Sequence, residues 1–269
     1  MVQDPLTSKI SLSINNSIKK PAFIPFIVSG YPDLKTTGEL ILLFQKHKAA
    51  AIELGIPFSD PLADGPVIQS AAKKALDNGA TIDKIFNLLQ NLKNNLKTPI
   101  ILFSYINPII RYGYEEFLKK AKDANVSGVI IPDLPVEESE EFAALCEKYD
   151  IDLIMLIAPT SDKERVLKIS KASKGFIYLV SSTGVTGVRE SFSSILSDLV
   201  KEIKSVSQVP VAVGFGISKP EHIVELKDLG AEGAIIGSAL IKIIDGSMDN
   251  KELLLNNIST YINSLYSQV

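Results

Sequence analysis

The chain has 269 residues, with 28 lysines and arginines against 31 aspartates and glutamates and a formal charge of −3. It carries no block of like charge and no basic stripe, so neither nucleic acid nor an acidic membrane surface is an expected partner. No segment supplies the roughly 18 consecutive apolar residues of a membrane span, and the N-terminus lacks an apolar signal core. The single cysteine, Cys146, falls in a helical pattern and fits a reducing compartment, the cytoplasm or a plastid stroma, with helix packing as its role.

In chain order, an N-terminal helix over about 7–19 precedes the first apolar, β-branched run, FIPFIVSG (23–30). A helical pattern, LKTTGELILLFQKHK, leads to AIELGIP (51–57). Two more, IQSAAKKALDN and TIDKIFNLLQNL, separate it from PIILFSY (99–105). Then follow EEFLKKAKDAN, GVIIPDL (128–134), VEESEEFAALCEKY, DLIMLIAP (152–159), DKERVLKISKAS, GFIYLVSS (175–182), PVAVGFGI (210–217), KPEHIVELKDLG and GAIIGSAL (233–240). Eight strand patterns separated by helical ones read as parallel βα units, which close most simply into an α/β (β/α)₈ TIM barrel, one domain over 1–269. An open doubly wound sheet is the structural alternative. Strand starts are 48 residues apart after the second run and 35 after the sixth, so insertions follow strands 2 and 6 and fall on the C-terminal face, where barrels keep their sites.

The stretch AIELGIPFSDPLADGP concentrates the acidic residues. A period of two puts Ala51, Glu53 and Gly55 on the barrel interior and Ile52, Leu54 and Ile56 against the helices. Glu53 then has room for a ligand and little water, so its pKa rises and it can both give and take a proton. The plainer alternative is a buried glutamate satisfied by backbone donors or a basic partner. Asp64 lies on a Pro- and Gly-rich loop stiff enough to hold it over the mouth, whereas Asp60, before Pro61, reads as a turn former.

GFGIS (214–218) and IIGSAL (235–240) each bring a strand end, a glycine and a helix start together, a phosphate grip in which Gly216 and Gly237 allow close approach and Ser238 adds a hydroxyl. A turn needs glycine in any case, so it is the pairing of the two turns that carries weight. Gly184 and Gly187, in STGVTGVRE, suit a mobile lid. The two histidines, His47 and His222, lie in helical patterns away from strand ends, and no strand run carries a lysine, which disfavours a histidine-built metal site, a Ser-His relay and imine chemistry. Metal-free acid–base work on a phosphate-bearing small molecule remains, with Tyr178 as helper or barrel core.

ELGIPFSDPLADGP closely resembles the signature of the tryptophan synthase alpha chain family. PFIVSGYP, SYINPIIRYG, PDLPVEES, APTS, STGVTG, GFGIS and GSAL extend the resemblance in order along nearly the whole chain. It implies a (β/α)₈ barrel that splits indole-3-glycerol phosphate into indole and glyceraldehyde 3-phosphate, handing indole to a beta chain in an alpha2-beta2 assembly. No cofactor is implied on this chain, with pyridoxal phosphate on the partner. It further implies catalytic roles for Glu53, Asp64 and Tyr178, and a lid hydrogen bond from Thr186 to the second carboxylate. Phosphate contacts are implied at Gly187, Gly214, Gly216, Gly237 and Ser238, and an indole pocket at Phe26, Phe103 and Phe215. A stand-alone lyase releasing free indole, an idle barrel acting only as an allosteric or structural subunit, and another phosphate-binding barrel such as a sugar-phosphate isomerase are the rival readings.

Overall fold

Asp33, Thr81, Asp162 and Asn250 each turn a side-chain oxygen onto a backbone N–H of the helix that follows, which satisfies an otherwise orphaned donor and fixes where that helix starts. The computed structural model describes residues 8–180, 189–214 and 216–269. The strands are β1 (Ala22–Val28), β2 (Ile52–Gly55), β3 (Ile100–Phe103), β4 (Val126–Ile130), β5 (Asp152–Ile154), β6 (Leu156–Ile157), β7 (Ile177–Val180), β8 (Val211–Gly214) and β9 (Gly233–Ile236). All pairings are parallel, and the sheet runs β5-β4-β3-β2-β1-β9-β8-β7-β6.

Eight runs thus give nine strands among the described residues, because the fifth run changes partner. Its first half pairs with β4 and its second with β7, and Met155 stands between. The Met155 carbonyl accepts from Tyr178 N at 3.0 Å while its N–H goes sideways to Ser173 Oγ at 3.1 Å, so one run closes the sheet into a barrel. β1 divides in the same way: Ala22–Pro25 pairs with β9 and Phe26–Val28 with β2. The barrel is two half-sheets meeting along two seams.

The helices are α1 (Lys9–Asn15), α2 (Leu34–Lys46), α3 (Pro66–Asp77), α4 (Ile82–Leu92), α5 (Ile106–Tyr112), α6 (Tyr114–Asp123), α7 (Glu140–Lys148), α8 (Lys163–Ala172), α9 (Arg189–Val206), α10 (Pro220–Asp228), α11 (Ser238–Asp245) and α12 (Lys251–Leu265). The expected N-terminal helix is shorter than 7–19: Ser8 caps it through Ile10 N and Ser11 N, and it ends at Asn15. Ile10 and Ile14 are fully buried, and a methyl group on Gly128 would stand 2.7 Å from Ile10 Cδ1, so α1 packs onto the barrel at a strand glycine. The pattern from Val136 to Tyr149 breaks into a 3₁₀ turn (Val136–Glu138) and α7, and the last residues of the eighth run are already the first turn of α11. The insertion after β2 carries α3, capped by Gly65 with Pro66 in the first turn, where a missing N–H costs nothing. Most strand residues are buried on both faces, as a helix-wrapped parallel sheet requires, with Phe103, Leu156, Tyr178, Val180 and Gly214 among those partly open.

Candidate active site

Glu53 sits in the middle of β2, between Phe26 of β1 and Ile101 of β3 in register, and is fully buried. Among the described residues neither carboxyl oxygen has a hydrogen-bond partner. A charge there has lost water and gained nothing in return, and that desolvation lifts the carboxyl well above its ordinary value. A purely structural glutamate would be expected to find donors.

Asp64 stands two residues before α3. Its backbone N–H reaches Pro61 O at 3.0 Å, and Gln69 Nε2, from the first turn of α3, donates to its carbonyl at 2.8 Å. The carboxyl accepts from Tyr105 Oη at 3.1 Å, and the same phenol oxygen accepts from Ala63 N at 2.9 Å. Tyr105 follows β3 and therefore straps the Asp64 loop to the neighbouring strand. Burial raises the Asp64 carboxyl to about 6 while the Tyr105 hydroxyl pulls it down, so it is mostly ionised at neutral pH. Asp60 is exposed, with its carbonyl accepting from Leu62 N at 2.9 Å, as a turn former should be.

Tyr178 on β7 faces both acids. Burial raises its phenol well above the ordinary value, and the charges of Glu53 and then Asp64 add to the effect, so the hydroxyl stays protonated. Glycines make room for the rings: a methyl group on Gly214 would lie 2.5 Å from Tyr178 Oη, and one on Gly55 2.8 Å from Phe26 Cζ. Phe26 packs edge-on to Phe103 at 5.5 Å between centroids. Among the described phosphate-contact glycines Gly216 alone is left-handed, at φ +59°, with open space where a side chain would be. Gly237 caps α11, and both Gly237 and Ser238 line the mouth, so the positive end of that helix lies there. A cavity of about 520 Å³ joins these parts, lined by Phe26, Asp64, Phe103, Tyr178, Gly214, Gly216, Gly237 and Ser238, an apolar floor with an anion-friendly wall.

The family model described as tryptophan synthase alpha chain matches residues 12–269. The chain belongs to the tryptophan synthase alpha chain family. It is 50% identical over 234 residues to the tryptophan synthase alpha chain of Prochlorococcus marinus (strain NATL1A), covering 87% of this chain and 88% of that one. It is 45% identical over 248 residues to that of Arabidopsis thaliana, covering 92% and 90%. A solved structure of the Pyrococcus furiosus tryptophan synthase a2b2 complex, described as the structural basis of its mutual activation, superposes with a TM-score of 0.85 at 39% identity, covering 93% of this chain and 99% of that one.

Of the twelve candidate catalytic and substrate-binding residues, nine are described; eight of these line the one cavity, and Glu53, fully buried on β2, does not. Thr186, Gly187 and Phe215 lie outside the described residues, as does Gly184. Sequence reading passed over Tyr105. Its only signal was position, at the C-terminal end of a strand in PIILFSY, and its bond to Asp64 crosses 41 residues of sequence. It also passed over Arg165 of α8, a cation on the cavity rim that pairs with Glu137 Oε1 at 3.0 Å. No described helix is long and apolar enough to cross a membrane.

Proposed function

We propose that Glu53 and Asp64 are the acid–base pair with which this tryptophan synthase alpha chain cleaves indole-3-glycerol phosphate to indole and glyceraldehyde 3-phosphate. The observation that carries the reading is the presence of two carboxyls in unlike settings around Tyr178 of the cavity wall, one sealed and unpartnered, the other half-buried and held by a phenol. Breaking the bond from indole C3 to the glycerol chain adds a proton at C3 and removes one from the hydroxyl that becomes the aldehyde. Glu53, whose neutral form is favoured by burial, gives the first and takes the second, so it ends as it began. Asp64, ionised, accepts the indole N–H and stabilises the positive charge that develops on the ring. Tyr178, kept neutral, bounds the reacting carbon without competing for its proton.

Phe26 and Phe103 hold the indole, joined by Phe215, and the N–H groups around Gly214, Gly216, Gly237 and Ser238 hold the phosphate, joined by Gly187. Thr186 completes the lid contact to Asp64. The partner is a beta chain in an alpha2-beta2 assembly that carries pyridoxal phosphate and receives the indole. The test is initial indole release by the purified chain with and without that partner. Glu53→Gln keeps the shape and removes the transferable proton, so turnover falls at least ~10²-fold with substrate binding retained. Near-normal turnover in Glu53→Gln removes that residue from the mechanism, and a free chain already at several turnovers per second, unmoved by partner, makes it a stand-alone lyase.

A further inference from the structure

Helices α3 and α11 each precede a second helix within their βα unit, and each begins at the site. α3 starts just after Asp64, and α11 starts at Gly237 and Ser238. They pack on one another and both on β1. Away from the cavity they meet at one side chain. Tyr31, in the turn after β1, is 1% exposed, and its hydroxyl donates to Asp245 Oδ1, the last residue of α11. Lys74 of α3 donates to the same carboxylate oxygen at 3.0 Å and to the Tyr31 oxygen at 3.3 Å.

We propose that Tyr31 is a positioning residue: its buried hydroxyl clasps α3 to α11 and so holds the Asp64 loop and the phosphate turn in mutual register. The inference rests on the roles assigned above to Asp64, Gly237 and Ser238. The Lys74–Asp245 pair alone cannot do this, since both side chains are more than a third exposed and such pairs contribute little. The phenol provides the direction and the buried anchor. Its backbone is itself fixed to α3, because Asn78 Nδ2 donates to Pro32 O at 2.7 Å and Gly30, at φ +86°, lets the turn approach so closely that a methyl group there would lie 2.6 Å from Ala80 Cβ. At the other end of α3, Gln69 ties the helix to the Asp64 carbonyl. Rotation of either helix therefore moves an acid or an anion site, and misplacement of a reacting group by about 1 Å costs up to ~10²-fold in rate.

The experiment is steady-state cleavage of indole-3-glycerol phosphate by the full chain with its beta chain, with inorganic phosphate as competitive inhibitor. Tyr31→Phe keeps the ring and loses the hydroxyl. The expected result is a kcat lower by about five- to tenfold and a phosphate inhibition constant higher by about threefold, the scale of one net hydrogen bond. In an Asp64→Asn background Tyr31→Phe lowers kcat no further, because there is no longer an ionised acid to aim. Lys148→Gln, which breaks a surface ion pair with Glu115, changes neither quantity. If Tyr31→Phe does not fold, Asp245→Ala, which removes the acceptor on a partly exposed side chain, carries the same expectations. A Tyr31→Phe enzyme with lowered Tm but unchanged kcat and inhibition constant makes the residue merely structural, and additive losses in the double variant overturn the clasp. Near-normal turnover in Asp64→Asn itself overturns the site reading and the clasp with it, whereas an impaired Asp64→Asn beside a normal Tyr31→Phe overturns the clasp alone.

Discussion

Asp64→Asn is expected to make the protein more stable at pH 8 and nearly inactive. The Asp64 carboxyl is raised from the ordinary 3.8 to about 6, chiefly by burial, so the native state keeps a proton that the unfolded chain has already released. A raised group contributes its full stability below pH 3.8 and loses it as pH climbs through about 6. At about 1.4 kcal/mol per pH unit, that rise sets a ceiling of about 3 kcal/mol. Asp64 is only half-buried, so solvent screening reduces the penalty to about 1–1.5 kcal/mol. Asparagine avoids this loss and can still accept from Tyr105 Oη through its amide oxygen. Urea unfolding of both proteins at pH 4, 6 and 8 measures it: the gain should be absent at pH 4, grow through pH 6 and level off by pH 8, while cleavage falls ~10²-fold. A variant less stable than the parent at pH 8, or a gain independent of pH, refutes the argument from desolvation.

Gly214→Ala places a methyl group 2.5 Å from Tyr178 Oη and 2.8 Å from its Cε1, so the ring must swing into the cavity. kcat/KM should drop at least ~10-fold, and a structure of the variant with the ring unmoved would contradict this. Ser8→Ala removes the cap of α1 and also the hydroxyl that donates to Asp152, whose carboxyl burial already raises to about 6. The expected cost is about 1–3 kcal/mol in urea unfolding with cleavage kinetics unchanged.

Much of this was legible in the sequence because strand parity and βα alternation are local. Parity alone put Glu53 on the interior, and the alternation of runs and helical patterns pointed to the barrel. The break at Met155 was not legible, since nothing in DLIMLIAP marks where one residue's carbonyl and N–H diverge; the partner strands decide it. Gly214 and Gly237 read as phosphate turns, and the structure adds that their missing side chains also clear space for the rings of Tyr178 and Phe26. Tyr105 and Tyr31 act through hydroxyls whose partners are distant in sequence, so no spacing rule reaches them.

The two seams at Pro25–Phe26 and Met155 separate the site as well as the sheet. Glu53, Asp64, Phe103 and Tyr105 belong to the β2–β5 half, while Tyr178, Gly214, Gly216, Gly237 and Ser238 belong to the β6–β9 half, with Phe26 at the join. A substrate with its ring in one half and its phosphate in the other is a crosslink between them. The amides that cross the fifth-strand seam, Tyr178 N to Met155 O among them, are then the ones whose deuterium uptake a bound substrate should slow most.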